Sequence, residues 1–215
     1  MIKSRYTFGY TGFVKYIGED SMDRHKPSGA AIFMYCVIAL ALVMTVVCFV
    51  LYYGGYYNED FVLWIGVTAF TIMYHFWGRI IMGNVTKLFK IDYNHWWFKE
   101  RGFEKGLYKL LKVKNWKGKV LTYNPELFSL KDYSMEDIAR TMTKAETDHW
   151  INELISLSTL VFGLIWGEMW IFALTAVLAM LFDGQFIVIQ RFNRPRVLKV
   201  IEIHKKKEDR KNKTA

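Results

Sequence analysis

The run from Ala30 to Tyr53 contains no charged residue. As a helix it is long enough to cross roughly 30 Å of hydrocarbon, where neither a charge nor an unpaired peptide group is solvated. It therefore predicts a transmembrane helix, and the rest of the chain has to be read beside a bilayer. Tyr35, Tyr52, Tyr53, Tyr56 and Tyr57 include rings suited to the headgroup level at its far end.

Three further apolar stretches follow, Phe61–Gly83, Trp150–Trp166 and Met169–Ile189. Only Gly167 and Glu168 join the last two. The pattern predicts an all-α fold: a polytopic membrane helical bundle of about four transmembrane helices, with amphipathic or interfacial helices beside it. The expected organisation is an N-terminal segment over 1–29, a first transmembrane hairpin over 30–83, a basic loop over 84–149, a second hairpin over 150–196 and a basic, disordered tail over 197–215.

Charge orients the bundle. The chain holds 29 Lys and Arg against 20 Asp and Glu, net +9. Residues 1–29 carry five of the bases, 84–149 thirteen and 191–215 ten, while the two short links carry none. Excess Lys and Arg mark cytoplasmic segments, so both termini and the long loop are expected in the cytoplasm of a multi-pass cell-membrane protein. Residues 1–29 are polar and charged, and the first apolar run is too long for a signal peptide core, so no cleavable signal is expected. The charge run of the tail is read as meeting anionic lipid rather than nucleic acid.

Cys36 and Cys48 lie in one straight helix and cannot bridge each other. No metal-ligand spacing, phosphate-binding glycine loop or nucleophile elbow occurs, so no metal and no resident cofactor is expected. Within the loop, Phe103, Leu107, Leu110 and Leu111 recur at helical spacing among Lys99, Arg101, Lys105, Lys109 and Lys112, flanked by Trp96, Trp97 and Trp116. Two readings fit: an amphipathic helix on an anionic leaflet, or a solvated helix packed on the other cytoplasmic parts. A second helix starts near Ser134, a good N-cap with Glu136 and Asp137 in its first turn, and runs into the third apolar stretch without a breaker.

Two clusters have residue types that carry chemistry. Glu146 and His149 share a helix face, with Glu153 one turn on, and Trp150 follows at the expected bilayer entry. A carboxylate beside an imidazole makes a general base; an interfacial pair that only hydrates a helix end is the alternative. Gln190, Arg191, Asn193, Arg194 and Arg196 close the fourth stretch. Guanidinium groups there anchor a span to lipid phosphate, or bind donor phosphate and an oxyanion. His75 and Arg79 in the second stretch and Asp183 in the fourth are ionisable groups at membrane depth, which are costly and seek partners inside a bundle.

The stretches Lys144-Ala-Glu-Thr-Asp-His-Trp150 and Gln190-Arg-Phe-Asn-Arg-Pro-Arg196 resemble signatures of the glycosyl-4,4′-diaponeurosporenoate acyltransferases of staphyloxanthin synthesis, as do Phe103-Glu-Lys105 and Asn115-Trp-Lys-Gly-Lys119. The resemblance spans roughly Phe98 to Leu198. Thr147, Asp148 and Glu153 depart from it, and the hairpin carrying His75 lies outside it. It implies a membrane acyltransferase acting on a sugar hydroxyl of a glycosylated lipid, a carotenoid glucoside or another glycolipid. The basic loop suits an acidic cytoplasmic donor, acyl-CoA or acyl-carrier protein. On this reading His149, polarised by Glu146, is the base, and the arginine cluster serves donor or oxyanion. A small methyltransferase or reductase using a soluble cofactor, and a lipid-binding scaffold without chemistry, are the alternatives. The sequence sets no oligomeric state.

Overall fold

The computed structural model describes residues 29–120 and 125–214, and every regular element among them is helical. The expected N-terminal segment lies, up to residue 28, outside the described residues. Helices α1 (Gly29–Tyr53) and α2 (Asp60–Val85) form an antiparallel hairpin. Small residues let the two backbones close on each other: Gly66, Ala69 and Thr71 are buried along α2. A Cβ on Gly66 would fall 2.8 Å from the Phe49 ring and 3.0 Å from the Cys48 Cβ. Thr45 and Thr71 donate to the carbonyls one turn back, Ala41 and Val67, at 2.7 and 2.8 Å, so neither hydroxyl meets an apolar neighbour unpaired.

Past α2 the chain makes two single turns, Thr86–Leu88 and Trp96–Phe98, before α3 (Glu104–Leu110) and α4 (Val113–Trp116). The amphipathic segment is thus two short helices. They meet at Lys112, held in the left-handed region at φ 50°, which costs an L-residue roughly 1–2 kcal/mol. Phe103 and Leu110 stay exposed on the outside. Ser134 caps α5 (Met135–Ser158) as expected, its Oγ accepting from the Asp137 N–H at 3.1 Å. Thr159 separates α5 from α6 (Leu160–Trp166), and a turn through Gly167 and Glu168, both at positive φ, leads into α7 (Met169–Thr214).

Among the described residues, three helices are long and apolar enough to cross a membrane: Ile32–Tyr53, Asp60–Leu88 and Met169–Lys213. The stretch expected as a fourth crossing, 150–166, is shared between α5 and α6 and is polar along one side, with Asn152, Glu153 and Ser156 buried. Those groups face α2 and α7, against which α5 packs, rather than lipid. The tail expected to be disordered is helical instead: α7 runs unbroken for 46 residues to Thr214. Lys, Arg and Glu are good helix formers, and Glu202 pairs with Lys206 one turn on at 2.5 Å.

An aromatic cluster holds the far end of the bundle. Phe162 on α6 sits 5.0 Å from both Phe70 and Tyr74 of α2, and Trp166 lies 5.8 Å from Phe49 of α1. Tyr74 and Ser158 share a hydrogen bond of 2.7 Å, and the Trp166 indole donates to the Tyr53 hydroxyl at 3.0 Å. Leu40, Leu164 and Leu181 face outward, as lipid-contacting side chains do.

Candidate functional site

The polar side of α5 faces a matching side of α7. On α7, Asp183, Ile187, Arg191 and Arg194 recur at intervals of four, four and three, which puts them on one face. All but Arg191 are buried outright, and Arg191 is largely so. The two faces make two polar layers. Asp183 and Arg191 differ by eight positions, about 12 Å along a helix axis.

The first layer is an ion-pair lattice. Glu146, with no exposed surface, accepts from Arg191 Nη1 on Oε1 at 2.7 Å, and its Oε2 meets Arg194 Nη2 at 2.5 Å. Glu104, at the start of α3, takes Arg191 Nε at 2.8 Å and Nη2 at 2.6 Å on one oxygen, and the Tyr108 hydroxyl at 2.8 Å on the other. Burial, and then the hydrogen bond to Glu104, push the Tyr108 phenol far above its usual range. Arg194 also donates to the carbonyls of Phe98 and Met142 at 3.1 and 3.3 Å, and lies 5.0 Å over the Phe98 ring. The Trp150 indole reaches Glu146 Oε1 at 3.4 Å. Two carboxylates and two guanidinium groups cancel, which makes this much buried charge tolerable.

The second layer is centred on Asp183. Its Oδ1 accepts from Asn152 Nδ2 at 3.1 Å and lies 2.8 Å from His149 Nδ1, while Oδ2 pairs with Arg79 Nη2 at 2.5 Å. The His149 ring stacks on Phe186 with centroids 4.6 Å apart and planes 4° from parallel. His75, Glu153 and Ser156 are buried close by, and His75 Nδ1 and Ser156 Oγ have no hydrogen-bond partner among the described residues. A Cβ at Gly184 would meet Glu153 Oε1 at 3.6 Å, an ordinary van der Waals contact. At the same end of the bundle Asp148 ties α5 to the turn that follows α2, accepting from the Thr86 hydroxyl and, within α5, from Lys144 Nζ at 2.6 Å.

The expected pairing of Glu146 with His149 is not formed. Glu146 is engaged by two guanidinium groups, and the carboxylate facing the imidazole is Asp183, brought from α7. The arginine cluster is likewise divided. Arg191 and Arg194 are held inside the bundle, Asn193 accepts from Lys117 Nζ at 2.6 Å, and exposed Arg196 lies 4.3 Å over the Phe192 ring. Burial first, then the cations Arg196 and Lys114, hold the Lys117 ammonium below the usual lysine range. Gln190 is half-buried and, among the described residues, joins neither layer. His75, Arg79 and Asp183 do share one layer, as costly charges at membrane depth require. Sequence reasoning missed Glu104, Tyr108 and Asn152 as members of these layers; Glu104 stands inside Phe103-Glu-Lys105, its only signal. No group of His, Cys, Asp or Glu suited to a metal ion occurs among the described residues.

No curated protein and no solved structure matches the chain. A protein-family model does, that of glycosyl-4,4′-diaponeurosporenoate acyltransferase, over residues 94–203. The matched stretch opens just before the Trp96–Phe98 turn and closes within α7. It contains every residue of the first layer, and of the second all but His75 and Arg79, which α2 supplies. With half of its residues matched, across the very helices that build both layers, the chain belongs to the glycosyl-4,4′-diaponeurosporenoate acyltransferase family.

Proposed function

We propose that the protein is a multi-pass membrane acyltransferase, both termini in the cytoplasm, that moves a fatty acyl group from a cytoplasmic thioester donor to a sugar hydroxyl of a glycosylated lipid. The observation that carries this reading is the His149–Asp183 contact of 2.8 Å inside the family-matched helices. Its chemistry suits the transfer. With Nδ1–H donating to the Asp183 carboxylate, His149 Nε2 keeps its lone pair and takes the proton of the acceptor hydroxyl. The hydroxyl oxygen attacks the thioester carbonyl carbon, a tetrahedral oxyanion forms, and Asp183 stabilises the imidazolium. Collapse breaks the C–S bond, the imidazolium returns its proton to the leaving thiolate, and the products are an ester and a free thiol. Asn152 and Arg79 orient Asp183, and Phe186 fixes the imidazole plane.

In this scheme Arg191 and Arg194 set the register of α5 against α7 through Glu146, Arg191 ties α3 to α7 through Glu104, and neither touches the reacting atoms. The sugar enters from the membrane side, where Glu153, Ser156 and His75 offer buried polar atoms to hydroxyl groups. Comparing lipid extracts of cells with and without the protein by mass spectrometry tests the reaction class. A glycolipid heavier by one acyl chain, made by the parent and lost in His149→Ala, is expected. Identical lipid profiles in the two strains would refute acyl transfer.

A further inference from the structure

Beside the ion-pair lattice, between α3–α4 and the flank of α7, lies an open groove of about 730 Å³. Six cations line it: Lys105, Lys109, Lys112, Lys114, Arg196 and Lys199. Its one carboxylate, Glu100, is 3.8 Å from Lys105. Lys109, Lys112 and Lys114 make no ion pair among the described residues, and Arg196 has only the face of Phe192. Lys112 stands in the left-handed region between α3 and α4, and Lys112 and Lys114 line the groove together with Lys105 and Lys109 of α3. Burial first, and then the cations Arg196 and Lys114, disfavour the charged form of neighbouring Lys117. The floor is aromatic, the Phe192 and Tyr108 rings meeting edge to face at 5.3 Å.

We propose that this groove binds a nucleotide bearing phosphates at more than one position, the head of an acyl-CoA-type donor. Several cations answer several phosphates, and the Arg196 guanidinium, laid over the Phe192 ring, gives a base a planar cation to stack on. The groove is concave and of the size that small ligands occupy, whereas a carrier protein docks on a broad surface. Tyr108 links the groove to Glu104, and Glu104 to Arg191, so an occupant lies one ion-pair relay from the α5–α7 interface. The inference rests on the acyl-transfer reading only for the acyl group such a nucleotide would carry.

The full-length protein in phosphatidylcholine nanodiscs is titrated with adenosine 3′,5′-bisphosphate by calorimetry, with no acyl group and no acceptor present. Saturable binding is expected, weakening as salt rises. It is expected to fall at least tenfold in Lys109→Ala/Arg196→Ala and in Lys112→Gln/Lys114→Gln. It should hold in Lys205→Ala/Lys207→Ala, which removes exposed charge from the far end of α7. Absence of binding, or binding in both groove variants as tight as in the parent, overturns the proposal. So does retention of anionic phosphatidylglycerol vesicles or of an acyl-carrier protein, each lost in the groove variants, with no bisphosphate binding. Acyl transfer without bisphosphate binding sinks the groove and spares the reaction; bisphosphate binding with no transfer to any glycolipid does the reverse.

Discussion

Replacing Glu146 by Gln separates a structural carboxylate from a catalytic one. Glu146 has no exposed surface and holds Arg191 at 2.7 Å and Arg194 at 2.5 Å. Without its charge Arg191 keeps Glu104, but Arg194 is left with two backbone carbonyls and the Phe98 ring, and no carboxylate. Breaking a buried pair from one side costs about 3–5 kcal/mol. Glutamine still offers one oxygen to a guanidinium donor, which puts the expected loss near about 3 kcal/mol. That is a large part of a typical stability of about 5–15 kcal/mol, and lowers the folded-to-unfolded ratio by roughly a hundredfold. Arg194→Gln should cost about as much, because it leaves half of Glu146 unpaired. The double variant should lose about 3 kcal/mol rather than the sum of about 6, a coupling of about 3 kcal/mol. Denaturant unfolding of the detergent-solubilised chain, followed by tryptophan fluorescence, reads all three. If Glu146→Gln keeps the parent's stability but loses acyl transfer, Glu146 acts in the reaction and the lattice is not what holds α5 to α7.

Asp183→Asn should lower the single-turnover transfer rate roughly hundredfold or more, with donor binding unchanged, measured by rapid quench; a donor-affinity defect with normal turnover would speak against its role. Gly66→Ala drives a methyl group into Phe49, whose ring is hemmed in by Tyr53 and Trp166, and should destabilise the α1–α2 hairpin by about 1–3 kcal/mol in the unfolding assay. Ser134→Ala removes the cap on the Asp137 N–H and should cost about 1 kcal/mol with the transfer rate untouched.

The membrane helices were legible because lipid allows so few sequences. An uncharged run such as Ala30–Tyr53 has almost no other fate, and Ser134 announces its helix through local chemistry alone. The rod through α5 and α6 was harder to classify, because Asn152, Glu153 and Ser156 dilute its hydropathy while facing other helices instead of lipid. Site membership was largely readable, since ionisable groups at membrane depth mark themselves. Their partners were not. Spacing along one helix joins Glu146 to His149, but a buried carboxylate goes to the strongest donors within reach, and those arrive on α7, 45 positions later for Arg191. His149 then meets Asp183, 34 positions away, a pairing that only the docking of α5 on α7 creates. The tail misled for a related reason: a run of like charge suggests disorder, yet Lys and Glu one turn apart support the helix that α7 has already nucleated.

The imidazole facing Asp183 carries the proposed proton transfer. His149→Gln keeps a side-chain amide able to donate to the Asp183 carboxylate while removing the proton acceptor. In nanodiscs supplied with a radiolabelled acyl thioester and a glycolipid, this variant should unfold like the parent and transfer roughly 10²–10⁴ times more slowly. Transfer at the parental rate by a folded His149→Gln protein would show that the proton leaves by another route.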